Sequence, residues 1–128
     1  MKNDLKSYFG VGAKEIAEGA NQLVKEIKAF SNEKHVKEPQ ILLVSPPRIG
    51  KGICQSAFGA DFDEASILQS ELFTDYYREV AIENQCMFVN AADIVTPSKE
   101  DSLHLMPEEH EKLARAIYEV IITKDNLQ

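Results

Sequence analysis

Two short apolar runs, residues 41–44 (Ile-Leu-Leu-Val) and 87–89 (Met-Phe-Val), alternate with three longer segments whose apolar residues recur at helical spacing. An unbroken run of this length that ends at turn residues is typical of a strand buried on both faces of a parallel sheet. The order helix, strand, helix, strand, helix predicts an α/β domain with right-handed crossovers. Two strands make a poor sheet, so the count suggests part of a larger doubly wound fold.

The helices are predicted at residues 13–30, at residues 64–84 and from Pro107 onward. Proline suits the first position of a helix, where its missing N–H leaves no bond unmade. Each segment carries an apolar stripe that would face the sheet. The predicted stripes are Ile16, Ala20, Leu23, Val24, Ile27 and Phe30 in the first helix; Leu68, Leu72, Tyr76 and Val80, with Phe73 and Tyr77 beside them, in the second; and Leu113, Ala114, Ile117, Val120 and Ile121 in the third.

Composition and charge exclude several classes of function. The 128 residues suit a single domain, residues 1–128, and a net charge of −7 argues against partners such as nucleic acid or anionic membranes. The first residues form no apolar signal core, and no apolar run approaches the length that spans a membrane. Cys54 and Cys86 are too few for a disulfide scaffold, and Cys86 begins an apolar run that predicts a buried thiol. These features favour a cytoplasmic location.

The segment Asp101-Ser102-Leu103-His104 precedes the last predicted helix, in a long loop at residues 90–106. An aspartate three residues before a histidine can bond to the imidazole Nδ1–H and fix the tautomer. Nε2 is then left to take a proton from a hydroxyl nucleophile. The tetrapeptide alone is common, and by itself it equally fits a solvated aspartate beside a surface histidine.

Five segments, in order, resemble the blocks of the GDSL/SGNH hydrolases, a family of serine esterases and lipases. Residues 3–6 with 9–11 resemble its G-x-N-D block, and residues 42–47 with Ile49 and Gly50 resemble a later strand and loop. Residues 77–81 and 90–93 resemble the segments on either side of its last strand, and residues 101–105 resemble the block with the catalytic Asp and His.

This resemblance implies a three-layer, flavodoxin-like α/β fold that hydrolyses ester or other acyl bonds. It implies His104 as general base, Asp101 as the residue that orients it, and Asn3 as an oxyanion donor, a role an amide can fill without titrating. The family carries its serine in an N-terminal G-D-S block, and this sequence begins at the family's third block. Three further departures are Lys2, where a small residue is usual, Ser102, where D-G-x-H has glycine, and Met106, where a capping Asp or Ser is common.

Other residues give weaker signals. Ser45 ends the first predicted strand, where α/β domains often bind ligands, but no G-x-S-x-G elbow surrounds it. Structural roles are therefore predicted for Ser45 and for Ser56, Ser66, Ser70 and Ser98. The glycine-rich loop at 45–52 departs from the phosphate-loop pattern at both ends. His35, His110 and the cysteines do not have metal-site spacing, so no metal or cofactor is predicted.

The function expected from the sequence is that of an acyl-ester hydrolase, of which this chain supplies the C-terminal part. It would hold a base and its orienting aspartate without the nucleophile, and would be inactive alone. The alternative is a non-catalytic α/β domain that mediates interaction or self-association. Because residues 41–44 would lack a neighbouring strand on one side, a homo-oligomer, most simply a two-fold dimer, is also expected.

Overall fold

A computed structural model describes residues 2–126, with side chains through residue 124. The helices are α1 (Ala13–Glu33), α2 (Glu64–Glu71), α3 (Phe73–Glu83) and α4 (Pro107–Asn126), and the strands are β1 (Leu42–Ser45) and β2 (Met87–Asn90). Short 3-10 helices cover Lys2–Leu5, Ser7–Phe9, Ile53–Gln55 and Ala91–Asp93. In the described part of the chain, no helix is both long and apolar enough to cross a membrane.

The two strands pair in parallel, in a register that runs from Leu42 opposite Met87 to Ser45 opposite Asn90. The predicted α/β class and the parallel pairing are confirmed. Each strand extends one residue beyond its apolar run, to the polar residues Ser45 and Asn90. In residues 2–126 the sheet has these two strands, so the outer edge of each is unpaired.

The prediction that β1 is buried on both faces is wrong. Leu43 is 8% exposed and belongs to the main core, whereas its neighbours Leu42 and Val44 are half-buried. Successive side chains of a strand point to opposite faces, so one face of β1 is covered and the other is partly open. In β2, Val89 is 4% exposed but lies outside that core cluster, on the side away from Leu43.

The predicted helix at 64–84 is two helices, broken at Leu72. Ser70 explains the break: its hydroxyl donates to the carbonyl of Ile67 at 2.7 Å and accepts the N–H of Ile49 at 2.9 Å. A serine bonded to the preceding turn competes with the helix ladder, and here it also ties the helix to the β1–α2 loop. The predicted stripe is wrong at Leu68 and Leu72, which are exposed; the buried apolar residues are Phe73, Tyr77, Val80 and Ala81.

The first predicted stripe is also partly wrong. Leu23 and Phe30 are both 59% exposed. Small residues are buried instead, and α1 packs closely against α3; its buried residues are Ala13, Ala17, Asn21, Val24 and Ser31. Asn21 accepts the side-chain amide of Asn84 at 2.7 Å, so this polar contact within the helix interface is satisfied.

The last helix, α4, lies against β2 with little burial. Among its described side chains none is buried, and Ala114 and Ile121 of the predicted stripe are exposed. A groove of about 630 Å³ remains between α4 and β2. The apolar side chains of α4 are therefore covered only in part by the other elements of residues 2–126.

The segment before α1 packs against α2 and the residues that immediately precede α2. The Ser7 N–H donates to the Asp61 carbonyl at 2.8 Å, and the Ser66 hydroxyl donates to the Leu5 carbonyl, also at 2.8 Å. Leu5 itself is 3% exposed. This packing fixes where residues 2 and 3 lie relative to the rest of the chain.

Candidate active site

Asp101 and His104 lie in contact in the loop between β2 and α4. Asp101 Oδ2 is 2.8 Å from His104 Nδ1, as predicted from their spacing. The loop is closed on itself, because the Ser98 N–H donates to the His104 carbonyl at 2.7 Å and the Ser102 N–H donates to the Ser98 carbonyl at 2.9 Å. The loop is thus a tight turn that holds the pair in one geometry.

The Asp101 carboxylate accepts four hydrogen bonds. One oxygen accepts the Leu103 and His104 N–H groups and the Ser98 hydroxyl, each at 2.9 Å, and the other accepts from the imidazole. Burial raises the pKa of Asp101, but these bonds together outweigh it and hold the pKa well below its usual range. Asp101 is therefore an anion at neutral pH.

This anion determines the tautomer of His104. A carboxylate can only accept, so Nδ1 of the neutral imidazole carries the proton and Nε2 keeps its lone pair. The His104 side chain is 67% exposed, against 25% for Asp101, and its ring packs at 5.4 Å against that of Phe58. The imidazole is held on one edge and one face, and it is accessible elsewhere.

Ser102 lies in the left-handed region, with φ of 59°. This conformation accounts for the glycine that the family pattern has at this position. The turn packs tightly on the β1–α2 loop: the Gly50 N–H donates to the Ser102 carbonyl at 2.7 Å, and a Cβ on Gly50 would lie 2.8 Å from the Ser102 Cβ. A glycine at position 50 is what permits the approach.

Lys2 joins the N-terminal segment to the same turn, since its amine donates to the Leu103 carbonyl. Burial lowers the pKa of Lys2 to about 8, against the opposing attraction of Asp101. Asn3 follows in the same 3-10 helix and is exposed. In the described part of the chain, its side chain makes no hydrogen bond to Asp101 or His104, so its oxyanion role is not tested by this geometry.

The five candidate serines fall into three groups. Ser45 is 0% exposed, and its hydroxyl has no hydrogen-bond partner among the described residues. The hydroxyls of Ser56, Ser66 and Ser70 donate to backbone carbonyls, and that of Ser98 donates to the Asp101 carboxylate. No serine hydroxyl within residues 2–126 forms a hydrogen bond with His104 Nε2, and no group of three His, Cys, Asp or Glu side chains there converges as a metal site would.

Sequence reasoning missed four residues of this site: Ser98, Phe58, Gly50 and Lys2. Ser98 carried a usable signal, because a serine three residues before an aspartate commonly bonds to it within a turn. The other three contact the turn from remote parts of the chain. Lys2 and Leu103 are separated by 101 positions, and no local pattern reports such a contact.

Solved structures of other proteins share the fold described above. Est24, a carbohydrate acetylesterase from Sinorhizobium meliloti, is 25% identical over 95% of this chain and 57% of its own, with a TM-score of 0.83. The native aryl esterase of M. smegmatis is 22% identical with the same coverage and TM-score. A further solved chain is 39% identical over 98% of this chain and 56% of its own, with a TM-score of 0.85.

No family model matches the chain, and no curated protein matches it. The chain spans 56–57% of the length of these three solved structures. It shares the fold of just over half of each, and the named ones are esterases. The α/β arrangement and the parallel strand pair thus belong to a chain whose fold matches just over half of each of these esterases.

Proposed function

We propose that this chain provides the acid–base part of an ester-hydrolase active site of the GDSL/SGNH type. The observation that carries the proposal is the 2.8 Å contact between Asp101 Oδ2 and His104 Nδ1, with the imidazole otherwise exposed. The fold that the chain shares with esterases supports it. The flavodoxin-like, three-layer arrangement of the whole catalytic domain is part of the same proposal.

The chemistry requires a serine, which we propose comes from a segment outside residues 2–126. Its hydroxyl oxygen attacks the ester carbonyl carbon while His104 Nε2 takes the proton, and Asp101 stabilises the imidazolium that forms. The oxyanion is stabilised by donors that include the Asn3 amide. The imidazolium then protonates the leaving alcohol, and water hydrolyses the acyl-serine by the same steps. The substrate class is a small acyl ester.

The 128-residue chain alone is expected to hydrolyse short activated esters at no more than a background rate. Positioned acid–base catalysis contributes about 10²–10⁴-fold, and within residues 2–126 no serine hydroxyl bonds to His104 so as to form an acyl-enzyme. Release of p-nitrophenol from p-nitrophenyl acetate measures the rate. Fast turnover that His104→Ala abolishes would show that a nucleophile lies within the chain.

A chimaera tests the catalytic role directly. Residues 2–126 would replace the matched 57% of Est24, and the rest of Est24 would be kept. We expect a chimaera that unfolds cooperatively to hydrolyse acetyl esters, and His104→Ala or Asp101→Asn to lower its turnover by about 10³-fold or more. His35→Ala, a histidine in the α1–β1 loop, is the matched control. A folded chimaera in which His104→Ala and His35→Ala behave alike would refute the proposal.

The alternative is an α/β domain that mediates interaction or self-association without catalysis. The open groove and the poorly covered helix α4 favour it. A folded but inactive chimaera would leave this as the function. The free thiols of Cys54 and Cys86 fit a cytoplasmic location for either function, which stays a prediction.

A further inference from the structure

Lys2 contacts the Asp101–His104 turn at one defined atom. Its amine donates to the Leu103 carbonyl, and the Lys2 side chain is half-buried. The Leu103 side chain belongs to the main core and is 5% exposed, so the acceptor lies in a backbone segment that is anchored in the interior. The contact therefore connects the N-terminal segment to a fixed point of the turn.

The peptide group between Leu103 and His104 is bonded at both of its ends. Its carbonyl oxygen accepts from the Lys2 amine, and its N–H, which belongs to His104, donates to Asp101 Oδ1 at 2.9 Å. A peptide group is planar, so a bond at each end fixes the orientation of the whole plane. Because the His104 Cα lies in that plane, the two bonds also direct the imidazole.

Charge strengthens this arrangement. The donor at one end of the peptide group is an ammonium and the acceptor at the other end is a carboxylate, and hydrogen bonds to ionised groups are roughly twice as strong as neutral ones. Bonds that share a peptide group also polarise one another. Burial lowers the pKa of Lys2 and the attraction of Asp101 opposes this, so the cation and the anion are close enough to interact.

The same bond determines where Asn3 lies. Lys2 and Asn3 are adjacent in the 3-10 helix Lys2–Leu5. At the other end of this helix, the Leu5 carbonyl accepts the Ser66 hydroxyl at 2.8 Å. The helix is thus attached to the rest of the chain on both sides of Asn3, and Lys2 is the attachment to the turn that carries His104.

We propose that Lys2 is a positioning residue of the ester-hydrolase site, which holds the His104 imidazole at a fixed place relative to Asn3 by bonding to the Leu103 carbonyl. This inference rests on the proposed function and deepens it. Lys2 acts on the backbone and does not touch the reacting atoms. Removing an amine from water is unfavourable, and methionine would fill similar space, so packing alone does not call for lysine here.

Three substitutions in the Est24 chimaera test the proposal. Lys2→Met removes the donor and keeps a long side chain, Lys2→Arg keeps a charged donor, and Lys6→Met is the control in the same segment, where the amine lies 5.9 Å from the centre of the Tyr8 ring. We expect Lys2→Met to lower kcat by about 10- to 100-fold and to change KM by less than about twofold, as a misplaced catalytic group does. Lys2→Arg should restore most of kcat, and Lys6→Met should leave it unchanged.

The outcomes separate this inference from the proposed function. Full kcat in Lys2→Met, with His104→Ala inactive, would overturn the role of Lys2 and leave the proposed function standing. A loss of kcat that Lys2→Arg shares with Lys2→Met would also overturn it, because the donor would then not be what matters. A folded chimaera without activity would refute the proposed function and, with it, the catalytic part of this inference.

Hydrogen exchange in the 128-residue chain measures the positioning without catalysis. The His104 amide is expected to exchange about tenfold faster in Lys2→Met, because its peptide group has lost one of two bonds. The Cys86 amide, which donates to the Ala81 carbonyl at 2.9 Å, is the internal control and should exchange as before. Unchanged exchange at His104, or equally faster exchange at both amides, would contradict a positioning role.

The unsubstituted chain provides a check that needs no variant. Nuclear Overhauser effects are expected between the methylene protons beside the Lys2 amine and the protons of residues 103 and 104. Their absence in the folded chain would show that Lys2 does not reach the turn and would overturn the inference.

Discussion

At the residue scale, the Asp101–His104 turn contains one side chain in a conformation that glycine adopts more readily. Ser102 has φ of 59°. Ser102→Gly is expected to stabilise the fold by up to about 1 kcal/mol, because relief of the left-handed strain exceeds the added flexibility of the unfolded chain. Urea denaturation measures the free energy of unfolding.

Ser102→Ala is the control for this change. It removes the hydroxyl but keeps a Cβ in the left-handed region, so it should give no gain. If alanine stabilises as much as glycine, the serine hydroxyl, not the backbone conformation, is the source of the strain.

The Asp101 carboxylate makes the stability of the fold depend on pH. Its pKa is lowered in the folded state, so its contribution is present above the unfolded pKa of about 4 and is lost as the pH falls further. Asp101→Asn should cost about 1–2 kcal/mol at pH 7, and the difference from the unchanged chain should shrink below pH 4. Denaturation at pH 7, 5, 4 and 3 measures it.

Asp75→Asn is the matched control, since Asp75 is 78% exposed and faces Arg78 across 3.5 Å on the surface of α3. Its effect should stay near zero at each pH. A difference for Asp101→Asn that is constant down to pH 3 would mean that the carboxylate is not selectively stabilised by its four hydrogen bonds.

Much of the site's local geometry could be predicted from the sequence because its central contact is local. Three positions separate Asp101 from His104, and a turn closes that distance directly. Phe58, Gly50 and Lys2 reach the turn only after the chain has folded, so their positions depend on packing that no short pattern records. Ser102 was identified as a departure from a family pattern, and its left-handed backbone conformation explains why that pattern has glycine at this position.

At the element scale, the backbone of the β1–α2 loop at Gly50 packs against Ser102 of the Asp101–His104 turn. A Cβ on Gly50 would lie 2.8 Å from the Ser102 Cβ and 3.1 Å from its Cα. Gly50→Ala should therefore cost about 1–3 kcal/mol, as overpacking does, and should displace the turn. The free energy of unfolding and the His104 Nδ1–H resonance in NMR spectra report the two effects.

Gly19→Ala provides the opposite expectation in the same chain. Its Cβ would meet nothing within 4 Å, and Gly19 lies inside α1. Alanine there should stabilise by about 0.5–1 kcal/mol through helix propensity. A Gly50→Ala variant as stable as the unchanged chain would mean that the loop and the turn separate without cost.

The existence and type of the elements followed from the sequence, whereas the buried helix faces did not. Apolar size directed the prediction to Leu23 and Phe30, but close contact between α1 and α3 selects small residues such as Ala13 and Ala17. Periodicity identifies a helix, and the partner it packs against decides which stripe is buried. The helical pattern continues through Leu72, but the buried hydroxyl of Ser70 bonds to the preceding turn and the helix breaks there.

At the scale of the whole molecule, the homo-oligomer expected from the sequence stays a prediction, and it would make thermal stability depend on concentration. A dimer forms from folded chains only, so mass action stabilises the fold as concentration rises. For a chain of 128 residues we expect Tm to rise by about 2–4 °C per tenfold increase in concentration. Differential scanning calorimetry at 10 and 100 µM measures it, and a Tm that does not change would contradict the expected homo-oligomer.

The count of two strands was predictable because each is a separate apolar run, and the structure agrees. The partial exposure of one face of β1 was not predicted, since burial on both faces was expected and is found on one. That expectation assumed neighbours that residues 2–126 do not supply.

The bond between Lys2 and the Leu103 carbonyl also bears on the order in which the protein folds. It joins positions 101 residues apart, so its formation closes a loop that contains both strands and three of the four helices. Closing so long a loop is entropically unfavourable until the intervening elements have packed. We therefore expect the Asp101–His104 turn to form early from local bonds, and its attachment to the segment that carries Asn3 to form after the interior of the chain has assembled.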